Sequence, residues 1–154
     1  MKTNSVHTLL VLGAVFVAIL TPWQAQAANC SQASTAGAWD YTYTGTVFTP
    51  GGPLPAASVG HFTQDVAGNV AGSQTRTVAG QAAVEEIAGT ISVNSDCSAS
   101  GTINVFVNGQ LQRTAVLALV YDTQRKHVRA IFQSLSLPDG TNVPVVLTIE
   151  GNAI

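Results

Sequence analysis

The sequence predicts an all-β protein: an antiparallel up-and-down barrel of about eight strands, with a two-sheet β-sandwich as the alternative. Three observations carry this prediction. Beyond residue 28, short runs alternate large apolar and small polar side chains with period two, and no stretch keeps a helical period. Turn-forming residues interrupt these runs roughly every eight to twelve positions, the spacing of hairpin-connected strands. Glycines also recur inside the runs, at Gly45-Thr46-Val47, Gly89-Thr90-Ile91 and Gly101-Thr102-Ile103. A glycine weakens a strand interior, so its recurrence points to tight bends of the kind a closing barrel needs. Closure also removes the exposed edges that a sandwich must protect.

The chain begins with Lys2, an uncharged apolar run from Leu9 to Leu20, and a small-x-small ending at Ala25-Gln26-Ala27. This is the pattern of a secretory signal peptide over residues 1–27, leaving 28–154 as a single barrel domain that is secreted or periplasmic. The apolar run is roughly a dozen residues, short of the ~20 that a bilayer core requires, so no transmembrane segment is expected in the exported chain.

The first strand is WDYTYTGTVF (39–48), with Trp39, Tyr41, Tyr43 and Val47 on one face and Asp40, Thr42, Thr44 and Thr46 on the other. PGGPLP (50–55) reads as the longest loop, because proline is a poor strand residue. Strands over 59–65 and 70–78 follow, joined at a corner where Asp65 and Asn69 hold turn backbone and Gly68 accepts positive φ. The next pair, 82–93 and 98–107, is joined by Asn94-Ser95-Asp96-Cys97. Asn108-Gly109 is the strongest hairpin signal, a two-residue type I′ turn into the strand 110–121. A turn through Asp122 to Lys126 leads into 127–135, and Pro138-Asp139-Gly140 leads into the last strand, 142–150.

Charges are sparse after the leader: Arg76, Arg113, Arg125, Lys126 and Arg129 against eight carboxylates, with a whole-chain net charge of −2. A mildly acidic chain with no basic stripe is a poor partner for nucleic acid or anionic membrane surfaces. The Arg125–Arg129 cluster reads as a solvated turn. Cys30 and Cys97 are the two cysteines, and export places them in an oxidising compartment, where one disulfide is expected. It would pin the polar segment after the leader across one barrel end, with Cα atoms about 4.4–6.8 Å apart.

Three elements together resemble a known group. They are Gly37-Ala38-Trp39-x-Tyr41 with Gly45-Thr46-Val47; Gly60-x-Phe62-x-x-Asp65-x-x-Gly68-Asn69-Val70 with Gly72 and Val78; and Gly89-Thr90-Ile91-x-Val93-Asn94-x-Asp96-Cys97. The spacing is similar to that of small uncharacterised secreted bacterial proteins with a barrel like that of allene oxide cyclase and the lipocalins. The likeness runs from about Gly37 to Val120. It implies the barrel fold and carries over no catalytic residue.

No G-x-S-x-G elbow, phosphate loop, HExxH or CxxC occurs, so no cofactor and no metal site is expected. His61 and His127 lie on separate strands. Glu85 and Glu86 are adjacent on one strand and must point to opposite faces, so one of them faces the interior, where Arg76 or Arg113 can pair with it. A carboxylate buried beside an apolar cavity has a raised pKa and can act as a general acid or base. The aromatics Trp39, Tyr41 and Tyr43 either pack a core or line a cavity for one small molecule. The expected function is binding of a small apolar or amphipathic ligand, with Trp39, Tyr41, Tyr43, His61, Arg76 and Glu86 as candidate contacts. The alternatives are a cofactor-independent isomerase or cyclase in the same interior, and an envelope or interaction module with a filled barrel.

Overall fold

The computed structural model describes residues 29–154, so the leader expected over 1–27 lies outside the described residues. A single turn of helix, α1 (Gln32–Thr35), precedes eight strands: β1 (Gly37–Thr49), β2 (Gly52–Gln64), β3 (Asn69–Val78), β4 (Gln81–Val93), β5 (Ser98–Val107), β6 (Gln110–Tyr121), β7 (His127–Ser136) and β8 (Val145–Ala153). Each strand pairs antiparallel with the next, and β8 returns to β1, closing the barrel in simple up-and-down order. The barrel, not the sandwich, is the fold.

The period-two alternation appears in the strands, and on β7 it changes phase at Gln133, from Val128 and Ala130 to Leu135. On β1, Trp39, Tyr41 and Tyr43 are buried, while Asp40, Thr42 and Thr44 face solvent. Two of the recurring in-strand glycines, Gly45 and Gly89, stand where strands crowd. A Cβ on Gly89 would stand 2.0 Å from the Thr102 carbonyl oxygen, across the β4–β5 pair. Two bulges add curvature on either side of β6, with Gln112 and Gln133 as the extra residues.

Two expectations about boundaries are corrected. Residues 52–55 belong to β2 rather than to a loop, and the β1–β2 turn is Pro50-Gly51. Pro53 and Pro55 are tolerated because of where their polar edge points. The Pro55 carbonyl accepts from the Ala79 amide at 2.9 Å, so that edge faces the β3–β4 turn, and the β1 ladder needs no donor from it. The pairing of β2 with β3 begins only at Ala56↔Val78, so Pro53 lies beyond it. The second correction is β8, which starts at Val145 after Pro144 and runs on through Gly151 to Ala153. Residues 137–144, between β7 and β8, are the longest connection instead.

The two barrel ends differ. One carries the turns at 50–51, 79–80, 108–109 and 137–144. The other carries the turns at 65–68, 94–97 and 122–126 together with α1, and it is closed. The Cys30–Cys97 disulfide forms as expected, with Cα atoms 5.0 Å apart, and ties the segment before α1 to the β4–β5 turn. Ser31 caps α1 by accepting the Ser34 amide, and Gln32 reaches over the barrel wall to accept the Val93 amide at 2.9 Å and donate to the Ile91 carbonyl. Beneath α1, the Trp39 indole donates to the Thr35 carbonyl at 3.1 Å, and Gln64 donates to the Thr35 hydroxyl at 2.9 Å while accepting from Tyr121. Trp39 stacks on Phe62 and meets Tyr121 edge-on, with ring centroids 6.3 and 5.4 Å apart. The result is a solid aromatic floor.

Candidate functional site

Above this floor the barrel is hollow. A cavity of about 370 Å³ runs up the interior, within the range of small-molecule sites. Its lower walls are Val70, Ile91, Leu119 and Val128, and its upper walls are Leu54, Val78, Phe132 and Val143. Lining residues at the end opposite α1, among them Thr49, Gln112 and Leu137, place its mouth among those turns.

The buried polar side chains along the cavity are gathered into one network. Glu85 is 1 % exposed, and its two carboxylate oxygens accept four hydrogen bonds. Arg76 Nε and Arg113 Nη1 reach Oε1 at 2.9 Å each, Gln74 Nε2 reaches Oε2 at 2.7 Å, and Arg113 Nη2 also donates to Oε2. The Gln74 carbonyl oxygen in turn accepts from Tyr41 at 2.8 Å and Ser58 at 3.1 Å. This network links β1, β2, β3, β4 and β6 across the barrel. No buried side-chain nitrogen or oxygen among the described residues lacks a partner.

The network fixes protonation. Burial pushes the Glu85 carboxyl upward, but the hydrogen bonds and charge of Arg113, then Arg76 and Gln74, outweigh it and hold the group below its ordinary value. The expectation of a raised, acid-base-competent carboxyl is therefore corrected: the interior carboxylate is ionised and fully engaged. Burial raises the Tyr41 and Tyr43 phenols, and it pushes Tyr121 up to about 12, so all three remain protonated donors at neutral pH.

Of the residues expected to meet a ligand, Tyr41, Tyr43 and Arg76 line the cavity, while Trp39 lies below it in the floor. Glu86 and His61 do not face it. Both are exposed on the outer wall, His61 in a shallow depression with Asp40, Val84 and Glu150. The choice between the two glutamates turns on phase. Glu85 shares its parity with Ile87, Ile91 and Val93, which point inward, so Glu86 must point out. Arg113 lines the cavity, and Gln74 fixes Glu85 and lines it too. The same phase signal marks them, because Gln74 is in step with Val70 and Val78, and Arg113 with Ala115, Leu117 and Leu119. Among the described residues, no group of three or more histidine, cysteine or acidic side chains is placed to hold a metal ion. No helix among them is long and apolar enough to cross a membrane.

Comparison with known protein families finds no match, and neither does comparison with curated proteins. Among solved structures, the chain is similar to that of EF1p2_mFAP2b bound to DFHBI, with a TM-score of 0.51 and 13 % identity over 81 % of this chain and 100 % of the other. At that identity the likeness is one of fold: this chain is a closed eight-stranded antiparallel β-barrel of the same general shape.

Proposed function

We propose that the protein is an exported barrel that binds one small apolar or amphipathic molecule in its interior. The carrying observation is the cavity of about 370 Å³, walled by aliphatic and aromatic side chains and floored by Trp39. A chain selected only for stability would fill such a space, since close packing is the rule in protein interiors. The fold likeness adds support, because EF1p2_mFAP2b was solved with DFHBI bound. Export is supported by the leader pattern at Lys2, Leu9–Leu20 and Ala25-Gln26-Ala27, and by the Cys30–Cys97 disulfide. The spacing shared with secreted barrels of the allene oxide cyclase and lipocalin kind agrees with this reading.

Binding is favoured over acid-base catalysis because Glu85 has no oxygen left for a substrate proton, while Glu86 and His61 face solvent. The test is titration with a neutral solvatochromic dye, alongside native mass spectrometry of protein from its natural host. One dye should bind per chain, and Ala115→Leu, which projects into the cavity, should weaken it about tenfold while circular dichroism is unchanged. Absence of dye binding and of any co-purified molecule would overturn the reading.

A further inference from the structure

Charge in the barrel interior does not balance. Glu85 carries one negative charge, and Arg76 and Arg113 carry two positive ones. Among the described residues, those arginines are also the charged residues that line the cavity. Glu85 lies behind them and does not. The cavity therefore presents a net positive charge inside an otherwise apolar well, where screening by water is weak.

The two arginines are engaged to different degrees. Arg113 commits both terminal nitrogens to Glu85. Arg76 commits only Nε, at 2.9 Å, and its terminal nitrogens make no hydrogen bond among the described residues. Its side chain keeps 26 % exposure, against 12 % for that of Arg113. Arg76 lies two residues before the end of β3 at Val78, roughly 7 Å along the strand from the rim of the mouth. Tyr43 also lines the cavity, and burial keeps its phenol protonated. Arg113 lies against its hydroxyl oxygen, and the hydroxyl proton itself is donated to no acceptor among the described residues. A guanidinium fork and a phenol at the mouth of an apolar well are the donors that suit one anionic group.

We infer that the ligand is an amphipathic monoanion whose charged head docks on Arg76 and Tyr43 at the mouth, with its apolar tail lying toward Val70, Ile91 and Leu119. Glu85 is then the positioning residue, holding both arginines so that only one positive charge remains for the ligand. This rests on the proposed binding function, and the experiment separates the two.

Dodecanoate, dodecan-1-ol and dodecylammonium, each below its critical micelle concentration, compete with the neutral dye for the full-length exported chain. Dodecanoate should bind about tenfold or more tightly than the alcohol, and the ammonium more weakly than either. Arg76→Met keeps the apolar stem, and it leaves Glu85 neutralised by Arg113. It should abolish the preference for dodecanoate, so that the acid and the alcohol bind alike. Tyr43→Phe should reduce the preference in part, and it serves if Arg76→Met fails to fold. Equal binding of dodecanoate and dodecan-1-ol, or preference for the ammonium, would overturn the head-group inference and leave the cavity reading standing. Failure of the dye and all three amphiphiles to bind would overturn both.

Discussion

Gln74 and Glu85 stand directly opposite each other on β3 and β4, and the amide of the first donates a 2.7 Å hydrogen bond to the carboxylate of the second. Two arginines complete the shell around Glu85, and Tyr41 and Ser58 fix Gln74 from the other side. Removing the central charge leaves two guanidinium groups in a mostly apolar interior. Glu85→Gln should therefore lower stability by roughly 3 kcal/mol, the low end for a broken buried pair because Arg76 is partly solvated. Because the folded-state pKa of Glu85 is depressed, its contribution is present above its ordinary value of 4.5 and is lost as pH falls below that. Melting curves from pH 7 to pH 3 should fall more steeply for the wild type than for Glu85→Gln. Parallel curves would contradict the ionised assignment.

Reducing the Cys30–Cys97 disulfide frees a link across 67 residues, worth roughly 4 kcal/mol on the loop-entropy account. The melting temperature should drop by on the order of 10 °C or more. Amide exchange should accelerate over residues 29–36, where Cys30 donates to Ser95 and Gln32 meets Val93, while the strands stay protected. A global loss of strand protection would mean the bridge holds the barrel together rather than its cap.

Ala79 takes φ of 48° in the two-residue turn Ala79-Gly80, a conformation that asparagine adopts more readily. The chain already uses Asn-Gly at 108–109, where Asn108 has φ of 52°. Ala79→Asn should raise stability by roughly 0.5–1 kcal/mol in urea unfolding with an unchanged slope. A loss of stability would show that Ala79 is held by something other than turn geometry.

The recurring Gly-Thr-[Val/Ile] segments look alike in sequence but not in their surroundings. A Cβ at Gly89 meets backbone at 2.0 Å, whereas at Gly101 the nearest atom is the Ile91 Cγ1 at 3.2 Å. Gly89→Ala should cost about 3 kcal/mol or more, and Gly101→Ala about 1 kcal/mol or less, partly offset by a stiffer unfolded chain. Equal effects in thermal unfolding would remove the close-approach explanation.

Most of the fold was legible because each strand carries its own alternation and each hairpin its own turn residues. Asp65 illustrates the second: its carboxylate accepts the Ala67 and Asn69 amides at 2.9 and 2.8 Å, as the corner requires. What escaped depended on the register between strands. Pro53 and Pro55 look like loop residues until the partner of their polar edge is known. The segment at Gln32–Thr35 has no apolar period, and its helical turn is held by Ser31, the disulfide and the Trp39 indole, none of which is local patterning. The inward member of Glu85-Glu86 was readable from the parity of Ile87 and Ile91. Its pairing with arginines on both β3 and β6 became visible only once the barrel brought them together.

Ligand residence in the hollow interior, as proposed, is checked by methyl nuclear magnetic resonance during titration with dodecanoate. Large shift changes and ligand contacts are expected at the inward methyls of Val70, Ile91, Leu119 and Val128, which line the cavity. The outward methyls of Val59, Val84 and Val146 should remain still. Shifts confined to those outer valines, with the inward methyls unmoved at saturation, would contradict it.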